Sequence, residues 1–296
     1  MSKLSKNILK RFIVTCEVAP PKGAGIENLK KEIKELKKIW PKIEGINVVD
    51  NPGSILLMGS LAVSIMLKQN KLEPIYQLTC RDRNVLGLQS DLLGAAAFGI
   101  ENVLAITGDH TSVKSSDHPK AKPVFDLDSS TLIKAIVSLN NGKDFAGNKL
   151  NKNTNFFIGS AINPGVTPID GEIYKTKRKL LAGSEFFQTQ VVFNPSVLDS
   201  FLAEYEKTFN EDVRKRVLMG ILPIDSYDLI KFLRTIPGLS IPDEIENRIK
   251  RAKNQFNEGV QIALELVDSA KDLNLGGVHV VPAGKSDAML EVLKKI

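Results

Sequence analysis

Short runs of β-branched and other apolar residues recur along the chain at intervals of about 25 to 40 residues. Between these runs, apolar residues follow the three- and four-residue spacing of amphipathic helices. This alternation is typical of repeated βα units, and it predicts eight of them. The predicted strands span residues 12–17, 45–49, 73–78, 102–106, 156–161, 186–191, 217–222 and 277–281.

The helical pattern is clearest between the first two strands, where one apolar stripe faces a surface of lysines and glutamates. The stripe consists of Ile26, Leu29, Ile33, Leu36 and Ile39. The longest helical pattern runs from about residue 242 to residue 272. It begins with a proline followed by acidic residues, as helix capping and the helix dipole favour. We therefore expect one long helix there.

Eight alternating units within 296 residues match the size and logic of a TIM (β/α)8 barrel, an α/β fold, better than an open doubly wound sheet. No linker divides the chain, so residues 1–296 are predicted to form a single barrel domain. The most loop-like segment, residues 111–123, follows the fourth strand, and a second, residues 143–155, precedes the fifth.

Composition narrows the possible roles. No apolar run approaches the roughly 20 residues of a membrane span, and the N-terminus lacks the apolar stretch of a secretory signal, so we expect a cytoplasmic protein without membrane contact. The net charge of +6 comes from lysines that alternate with acids along helices, which argues against nucleic-acid binding. Some of this charge could attract an anionic cofactor or substrate.

The two cysteines, Cys16 and Cys80, and the three histidines form no closely spaced cluster. This spacing predicts neither a disulfide framework nor a metal site. We expect both cysteines to be core thiols.

Glu17 is the first candidate for chemistry, because the active site of a TIM barrel lies at the C-terminal ends of its strands. A polar residue at this position is most often a turn residue or a helix cap, and Asn194, Asp225 and Ser226 are expected to have that role. Glutamate is a poor cap, and Pro20 and Pro21 prevent a helix from starting directly behind Glu17. Glu17 therefore remains open to both a structural and a catalytic role.

Two glycine-containing stretches do not qualify as nucleotide-binding motifs. GAGIEN at Gly23 lacks the third glycine of a dinucleotide fingerprint, and AGKSD around Lys285 lacks the earlier glycine of a P-loop. Any nucleotide cofactor must therefore be held in another way.

Six segments, in order along the chain, resemble the methylenetetrahydrofolate reductase family. They are E-x-x-P-P at Glu17, QLTCRDRN at Gln77, GD at Asp109, a KRK-containing helix with AG and a TQ strand at Gln190, GILPI at Gly220, and VHVVP near the end. LTCRDRN-x-LGLQS is similar to members fused to, or accompanying, homocysteine methyltransferases. The family consists of flavin-dependent TIM barrels that reduce 5,10-methylenetetrahydrofolate to 5-methyltetrahydrofolate.

The resemblance implies roles for five residues. Glu17 matches the general acid that protonates the leaving nitrogen as the five-membered ring of the folate opens to a 5-iminium cation. Asp109 matches a catalytic aspartate beside flavin and pterin, where its negative charge stabilises that cation. Gln190, Tyr227 and His279 fall at substrate-binding positions, and Tyr227 stands where the family has a stacking phenylalanine.

The resemblance also implies a flavin site, with FAD favoured and FMN as the alternative. Its matching positions are Gln77, Thr107, Gly108, Asp109, Ser129, Ser160, Glu172, Lys175, Arg178 and Lys179. Cations on the helix after the fifth strand would suit a pyrophosphate. Gln77 replaces a family histidine, Thr107 an arginine and Asn194 an aspartate, and the loss of that arginine weakens the distinction between FAD and FMN.

The sequence leaves the electron donor open between NADH, NADPH and a partner protein. The chain has no iron–sulfur cysteine spacing, so it is not expected to relay electrons through a cluster of its own. A homo-oligomer is expected, and an electron-transfer or methyltransferase subunit is a possible partner. The alternative function is a non-catalytic folate- or flavin-binding barrel subunit of such a complex. The joint presence of Glu17, Asp109 and Gln190 argues against it.

Overall fold

The computed structural model describes residues 1–234, 239–284 and 286–296. All eight predicted strands are present, and their bounds differ from the predicted ones by at most one residue. The strands are β1 (Ile13–Val18), β2 (Gly45–Val48), β3 (Pro74–Thr79), β4 (Asn102–Ile106), β5 (Phe157–Ile162), β6 (Phe186–Val191), β7 (Val217–Ile221) and β8 (Gly277–Val280).

The strands form a closed parallel barrel in chain order, which confirms the predicted TIM barrel. β8 closes the ring on β1, with Ile13 beside Gly277 and Cys16 beside Val280. Closure gathers the C-terminal ends of all eight strands at one rim.

Helices surround the barrel. They are α1 (Lys3–Asn7), α2 (Glu27–Ile39), α3 (Ser60–Gln69), α4 (Val85–Ala97), α5 (Ser129–Asn140), α6 (Asp170–Ala182), α7 (Pro195–Phe209), α8 (Tyr227–Leu233), α9 (Asp243–Arg251), α10 (Gln255–Asp272) and α11 (Asp287–Lys295). On α2, Leu29, Ile33, Leu36 and Ile39 are buried, as the predicted stripe requires. Apolar residues between strands and helices form the main core.

The expectation of one long helix over residues 242–272 was wrong. The chain forms α9 and α10, which are separated at Ala252, a residue with extended backbone angles (φ −66°, ψ 133°). The Asn254 side chain then accepts a hydrogen bond from the Asn257 amide and caps α10. A local asparagine cap thus interrupts a helical pattern that is otherwise continuous.

Two of the predicted caps are confirmed. Asn194 accepts from the Ser196 amide at the start of α7, and Ser226 accepts from the Leu229 amide at the start of α8. The Glu17 side chain caps no helix.

The N-terminal end of the barrel is closed by α1. Leu4 and Ile8, 0% and 2% exposed, pack against inward-facing residues of β1, β3, β4, β6 and β7. Phe186 fills the barrel here and stacks on Phe157, with ring centroids 5.2 Å apart. A Cβ atom on Gly159 would lie 2.2 Å from the Phe186 ring, so the large ring depends on the glycine beside it.

Both cysteines are free and fully buried, as expected. Burial raises the pKa of the Cys16 thiol and of the Cys80 thiol. Lys285, in the stretch compared with a P-loop, lies outside the described residues.

Over residues 1–234, 239–284 and 286–296, no helix combines the length and hydropathy needed to cross a bilayer. The same residues contain no group of three or more His, Cys, Asp or Glu side chains placed to hold a metal ion.

Candidate active site

Glu17 lies near the C-terminal end of β1, and its side chain is 16% exposed at the barrel mouth. Two partners come from distant strands. The Gln77 Nε2 atom on β3 donates to Glu17 Oε2 at 3.4 Å, and the His279 Nε2 atom on β8 lies 3.6 Å from the same oxygen. The closed barrel thus surrounds one carboxyl oxygen with an amide and an imidazole.

The other side of the His279 ring contacts Thr15, whose Oγ1 atom lies 3.0 Å from Nδ1. The Val278 carbonyl is a second acceptor for the Thr15 hydroxyl, at 3.4 Å. The His279 ring is therefore held between Thr15 on one side and the Glu17 carboxyl on the other.

A pair of side-chain amides crosses the barrel next to this cluster. Asn47 Nδ2 donates to Gln188 Oε1 at 2.6 Å, and Gln188 Nε2 donates back to Asn47 Oδ1 at 3.1 Å. Both side chains are buried, and Asn47 pairs in register with Glu17. Since each amide satisfies the other, the pair forms a polar floor beneath the mouth without an unpaired group.

Thr79, at the end of β3, has a buried hydroxyl with no hydrogen-bond partner among the described residues. It lies against Gly108, which follows β4 and has a φ of +87°. A Cβ atom on residue 108 would lie 2.7 Å from Thr79 Cγ2. Only a glycine therefore fits where the backbone after β4 passes against Thr79, and the Thr79 hydroxyl is left as an unpaired polar atom beside it.

Arg81, 2% exposed, joins three loops at the mouth. Its guanidinium donates to both carboxylate oxygens of Asp82 at 2.6 Å, to the Asn51 carbonyl at 3.0 Å and to the Asp109 carbonyl at 3.3 Å. Burial acts to raise the pKa of Asp82, but hydrogen bonds from Arg81 and Asn51, together with the charges of Arg81 and Arg83, hold that pKa below its ordinary value. The position of Asp109 therefore depends on a buried arginine from the neighbouring strand end.

A second buried ion pair holds the start of the β2–α3 loop. Arg83 binds both oxygens of Asp50, at 2.7 and 3.2 Å, and the Thr79 amide donates to the same carboxylate at 2.9 Å. Burial acts to lower the pKa of Arg83, but the Asp50 carboxylate outweighs it, and this pKa lies above its ordinary value. Arg83 also pairs with Asp91 of α4 at 2.8 Å.

The long loop between β4 and α5 folds back over the β2–α3 loop. Ser115 donates to the Gly53 carbonyl at 2.9 Å, and Asp117 accepts from the Leu56 amide and pairs with Lys22 at 2.7 Å. The segment predicted as a loop is therefore ordered by contacts with the loops that follow β1 and β2.

The side chains of Asp109 and Gln190 are both exposed at the mouth. Within the described part of the chain, the Asp109 carboxylate makes no hydrogen bond or ion pair, so it is available to a ligand. Gln190 lies at a register irregularity of β6, where the Thr189 hydroxyl accepts the Gly220 amide at 2.8 Å. Such bulges commonly re-aim side chains next to active sites.

The positions assigned to a flavin by resemblance largely form one cluster, at the ends of β4 and β5. The Thr107 hydroxyl accepts the Ser129 amide at 3.0 Å, and Arg178 donates to Ser130 at 3.1 Å and pairs with Asp128 at 2.9 Å. Arg178 is more than half exposed. Its charge is therefore partly neutralised but still open to an anion.

Glu172, 8% exposed, accepts the Asn163 amide at 3.2 Å, and Lys175 lies 3.7 Å from its other oxygen. Lys179 is 9% exposed and donates to the Ala161 carbonyl at 2.6 Å. Burial lowers the pKa of Lys179, although Glu172 opposes the shift. These contacts tie α6 to the end of β5.

Two of the resembling residues are engaged by other residues of the protein. Ser160 is fully buried, and its hydroxyl is hydrogen-bonded to that of Ser184 at 2.9 Å. Tyr227, at the start of α8, donates to Glu246 of α9 at 3.1 Å, and lysine Nζ atoms lie 4.9 and 5.7 Å from its ring centre. Neither residue contacts the Glu17 cluster.

Sequence reasoning missed Thr15, Asn47 and Asp128 as neighbours of the candidate residues. Thr15 and Asn47 are polar residues at alternate, inward-facing positions of apolar strands, which is a period-two signal that could have identified them. Asp128 both caps α5 and pairs with Arg178. Its position before a helical pattern indicates the cap, but nothing in the sequence indicates the ion pair.

The sequence model of the family described as methylenetetrahydrofolate reductase matches residues 3–296. The chain belongs to this family. It is 23% identical over 305 residues to the 5,10-methylenetetrahydrofolate reductase of Buchnera aphidicola subsp. Schizaphis graminum, covering 99% of this chain and 94% of that protein. It is 22% identical over 281 residues to methylenetetrahydrofolate reductase 2 of Schizosaccharomyces pombe, covering 89% and 41%. The chain thus spans about two fifths of the length of the fission-yeast relatives it matches.

Among solved structures, the barrel resembles an uncharacterized protein from Clostridium thermocellum that binds two copies of 5-methyl-5,6,7,8-tetrahydrofolic acid. The TM-score is 0.69 at 20% identity, over 99% of this chain and 98% of that one. A 2,3-dimethylmalate lyase also shares the fold, with a TM-score of 0.55 at 8% identity and coverage of 100% and 86%. At these identities the similarity shows the barrel architecture alone.

Proposed function

We propose that the protein reduces 5,10-methylenetetrahydrofolate to 5-methyltetrahydrofolate with a bound flavin, and that Glu17 is the general acid. The observation that carries this proposal is the convergence of Gln77 and His279 on one oxygen of Glu17 at the mouth of a barrel that belongs to the reductase family. The methyltetrahydrofolate bound to the Clostridium thermocellum protein supports a folate as ligand.

The residues at the mouth fit a flavin. The Thr79 hydroxyl, which has no partner among the described residues, and the Gln77 amide suit a flat ring with polar edges. Arg178 and Lys175 supply positive charge for phosphate groups. We favour FAD over FMN as this flavin, as the resemblance to the family implies.

When bound and reduced, the flavin would supply the hydride that completes the methyl group. Glu17 would protonate the leaving nitrogen of the folate, which breaks a C–N bond of the five-membered ring and leaves a 5-iminium cation. Gln77 and His279 would orient the Glu17 carboxyl at the mouth for this transfer. The free carboxylate of Asp109 would stabilise the cation, and Gln190 would orient the folate.

The decisive experiment compares the two half-reactions in Glu17→Gln by stopped-flow absorbance of the flavin. We expect reoxidation of reduced enzyme by methylenetetrahydrofolate to slow by about a thousandfold, because the amide cannot donate the proton. Reduction of the flavin by NADH or NADPH should change less than about threefold, since that step needs no acid. Glu101→Gln, at the closed end of the barrel before β4, is the matched control.

Equal loss in both half-reactions would remove the acid assignment. A wild-type protein that binds flavin and folate but never transfers hydride would instead support the non-catalytic subunit. A protein that requires a partner before its flavin is reduced would identify the donor as a protein rather than a nicotinamide.

A further inference from the structure

The outer surface of α4 is unusually apolar for a helix on the outside of a barrel. Among its 13 residues, only Asp91 is charged, and that carboxylate pairs with Arg83. By contrast, 8 of the 13 residues of α2 are charged. The solvent-facing positions of α4 are Leu86, Ser90, Leu93 and Ala97, which follow one another at helical spacing.

Two phenylalanines extend this surface. Phe98 ends α4 and is 56% exposed, while Leu86 and Leu93 are 73% and 38% exposed. Phe145, 40% exposed, lies beside the helix, because its amide donates to Gln89 Oε1 at 2.7 Å. We call these six residues the α4 face: Leu86, Ser90, Leu93, Ala97, Phe98 and Phe145.

We propose that the α4 face is the contact between two copies of this chain. The chain carries a net charge of +6, so two copies repel each other wherever charged surfaces meet. The α4 face lacks net charge, because the single acid of the helix is neutralised within the same molecule. An uncharged, apolar surface is complementary to itself, as a twofold contact requires.

The area is consistent with a dimer. From their exposed fractions, Leu86, Leu93, Phe98 and Phe145 leave about 400 Å² of apolar surface in solvent. A standard interface buries about 800 Å² on each partner, of which somewhat more than half is apolar. The α4 face therefore supplies most of the apolar area that such a contact needs, and the polar rim around it supplies the rest.

The spacing of the side chains sets the geometry. If two α4 helices pack antiparallel about a twofold axis near Ser90, Leu86 of each copy lies beside Leu93 of the other. Ser90, at the axis, is small enough to let the two helices approach closely there. Gly94 instead faces Leu61 of α3, which leaves the outer face free for the second copy.

Sedimentation velocity of the full chain, across a range of concentrations, tests the contact with one substitution and its matched control. Leu86→Glu places a charge on the α4 face where Leu86 would meet Leu93 of the other copy, and we expect the dimer dissociation constant to rise by about a hundredfold or more. Leu181→Glu makes the same change at a leucine of α6 that is 76% exposed, and it should leave the dimer intact. Neither substitution removes a buried side chain, so both variants should fold.

Cysteine cross-linking tests the orientation. Ser90→Cys lies near the proposed axis, so mild oxidation should join two copies through a disulfide, whereas Ser200→Cys on the exposed side of α7 should not react at that rate. The native cysteines are buried and do not compete. Any of three results would overturn the proposal: a wild-type chain that stays monomeric, a Leu86→Glu variant that stays dimeric, or equal cross-linking at both positions. Dimers that cross-link at Ser90 only would support it.

Discussion

Single residues at the mouth were partly predictable. Pro20 and Pro21 excluded a helix start directly behind Glu17 and left a carboxyl at a strand end without a capping role. Its neighbours were harder to find, because Thr15, Gln77 and His279 come from three strands that meet only after the barrel closes. The sequence shows which strand positions are polar, but not which of them face each other across the barrel.

Asp109 gives a residue-scale prediction, because its carboxylate is exposed and without a partner in the described structure. Asp109→Asn should slow reoxidation of the reduced flavin by methylenetetrahydrofolate by about a hundredfold, since the negative charge that stabilises the cation is lost. The same change should raise the flavin reduction potential, because extra negative charge on the reduced ring is then less opposed. Both are measured on purified holoenzyme, by rapid mixing and by redox titration.

The control is Asp228→Asn, an equal change of charge at an exposed residue of α8. An Asp109→Asn variant whose flavin potential equals that of the wild type would place this carboxylate away from the cofactor.

Among the elements, strands were predicted more accurately than helices. Each strand is a short apolar run between polar segments, so its bounds follow from composition. The interruption between α9 and α10 depends on one local interaction, in which the Asn254 side chain caps the start of α10. The contacts among the mouth loops were also unpredictable, because they depend on Arg81, a charged residue that a sequence places on the surface by default.

The Arg81–Asp82 pair gives a prediction about pH. The pKa of Asp82 is lowered in the folded state from its ordinary value of 3.8. The unfolded chain therefore takes up this proton at a higher pH than the folded chain, and the stabilisation is lost as the pH falls through and below that value. Asp82→Asn should lower Tm at pH 7, where the buried Arg81 loses its counter-charge, and the difference from wild type should narrow below about pH 4.

Thermal unfolding followed by circular dichroism between pH 7 and pH 3 measures both curves. Asp268→Asn, an exposed position on α10, serves as control and should lie close to wild type at pH 7. A Tm difference for Asp82→Asn that is constant with pH would contradict the argument.

At the scale of the whole molecule, the barrel followed from the number and spacing of its units, as the closed order β1 to β8 confirms. The short helix α1 was not predicted, since five residues give no helical periodicity to detect. Its role depends on Leu4, which is fully buried in the closed end of the barrel.

Leu4→Ala should destabilise the protein by about 2–5 kcal/mol, because it leaves a cavity where α1 meets the inward-facing strand residues. Urea unfolding measures this change. Leu9→Ala, two residues beyond α1 at a side chain that is 56% exposed, is the control and should cost less than about 0.5 kcal/mol. Similar urea midpoints for the two variants would mean that the packing of α1 against the barrel adds little to stability.

Closure of the barrel by α1 also determines the route by which ligands reach Glu17. With Leu4 and Ile8 sealing the amino-terminal end, every molecule that reaches Glu17 must arrive and depart by the same rim. The product folate and a nicotinamide donor would then compete for the oxidised enzyme, because each must enter by this rim. Initial-rate measurements with NADH or NADPH should therefore show 5-methyltetrahydrofolate inhibiting competitively against the donor.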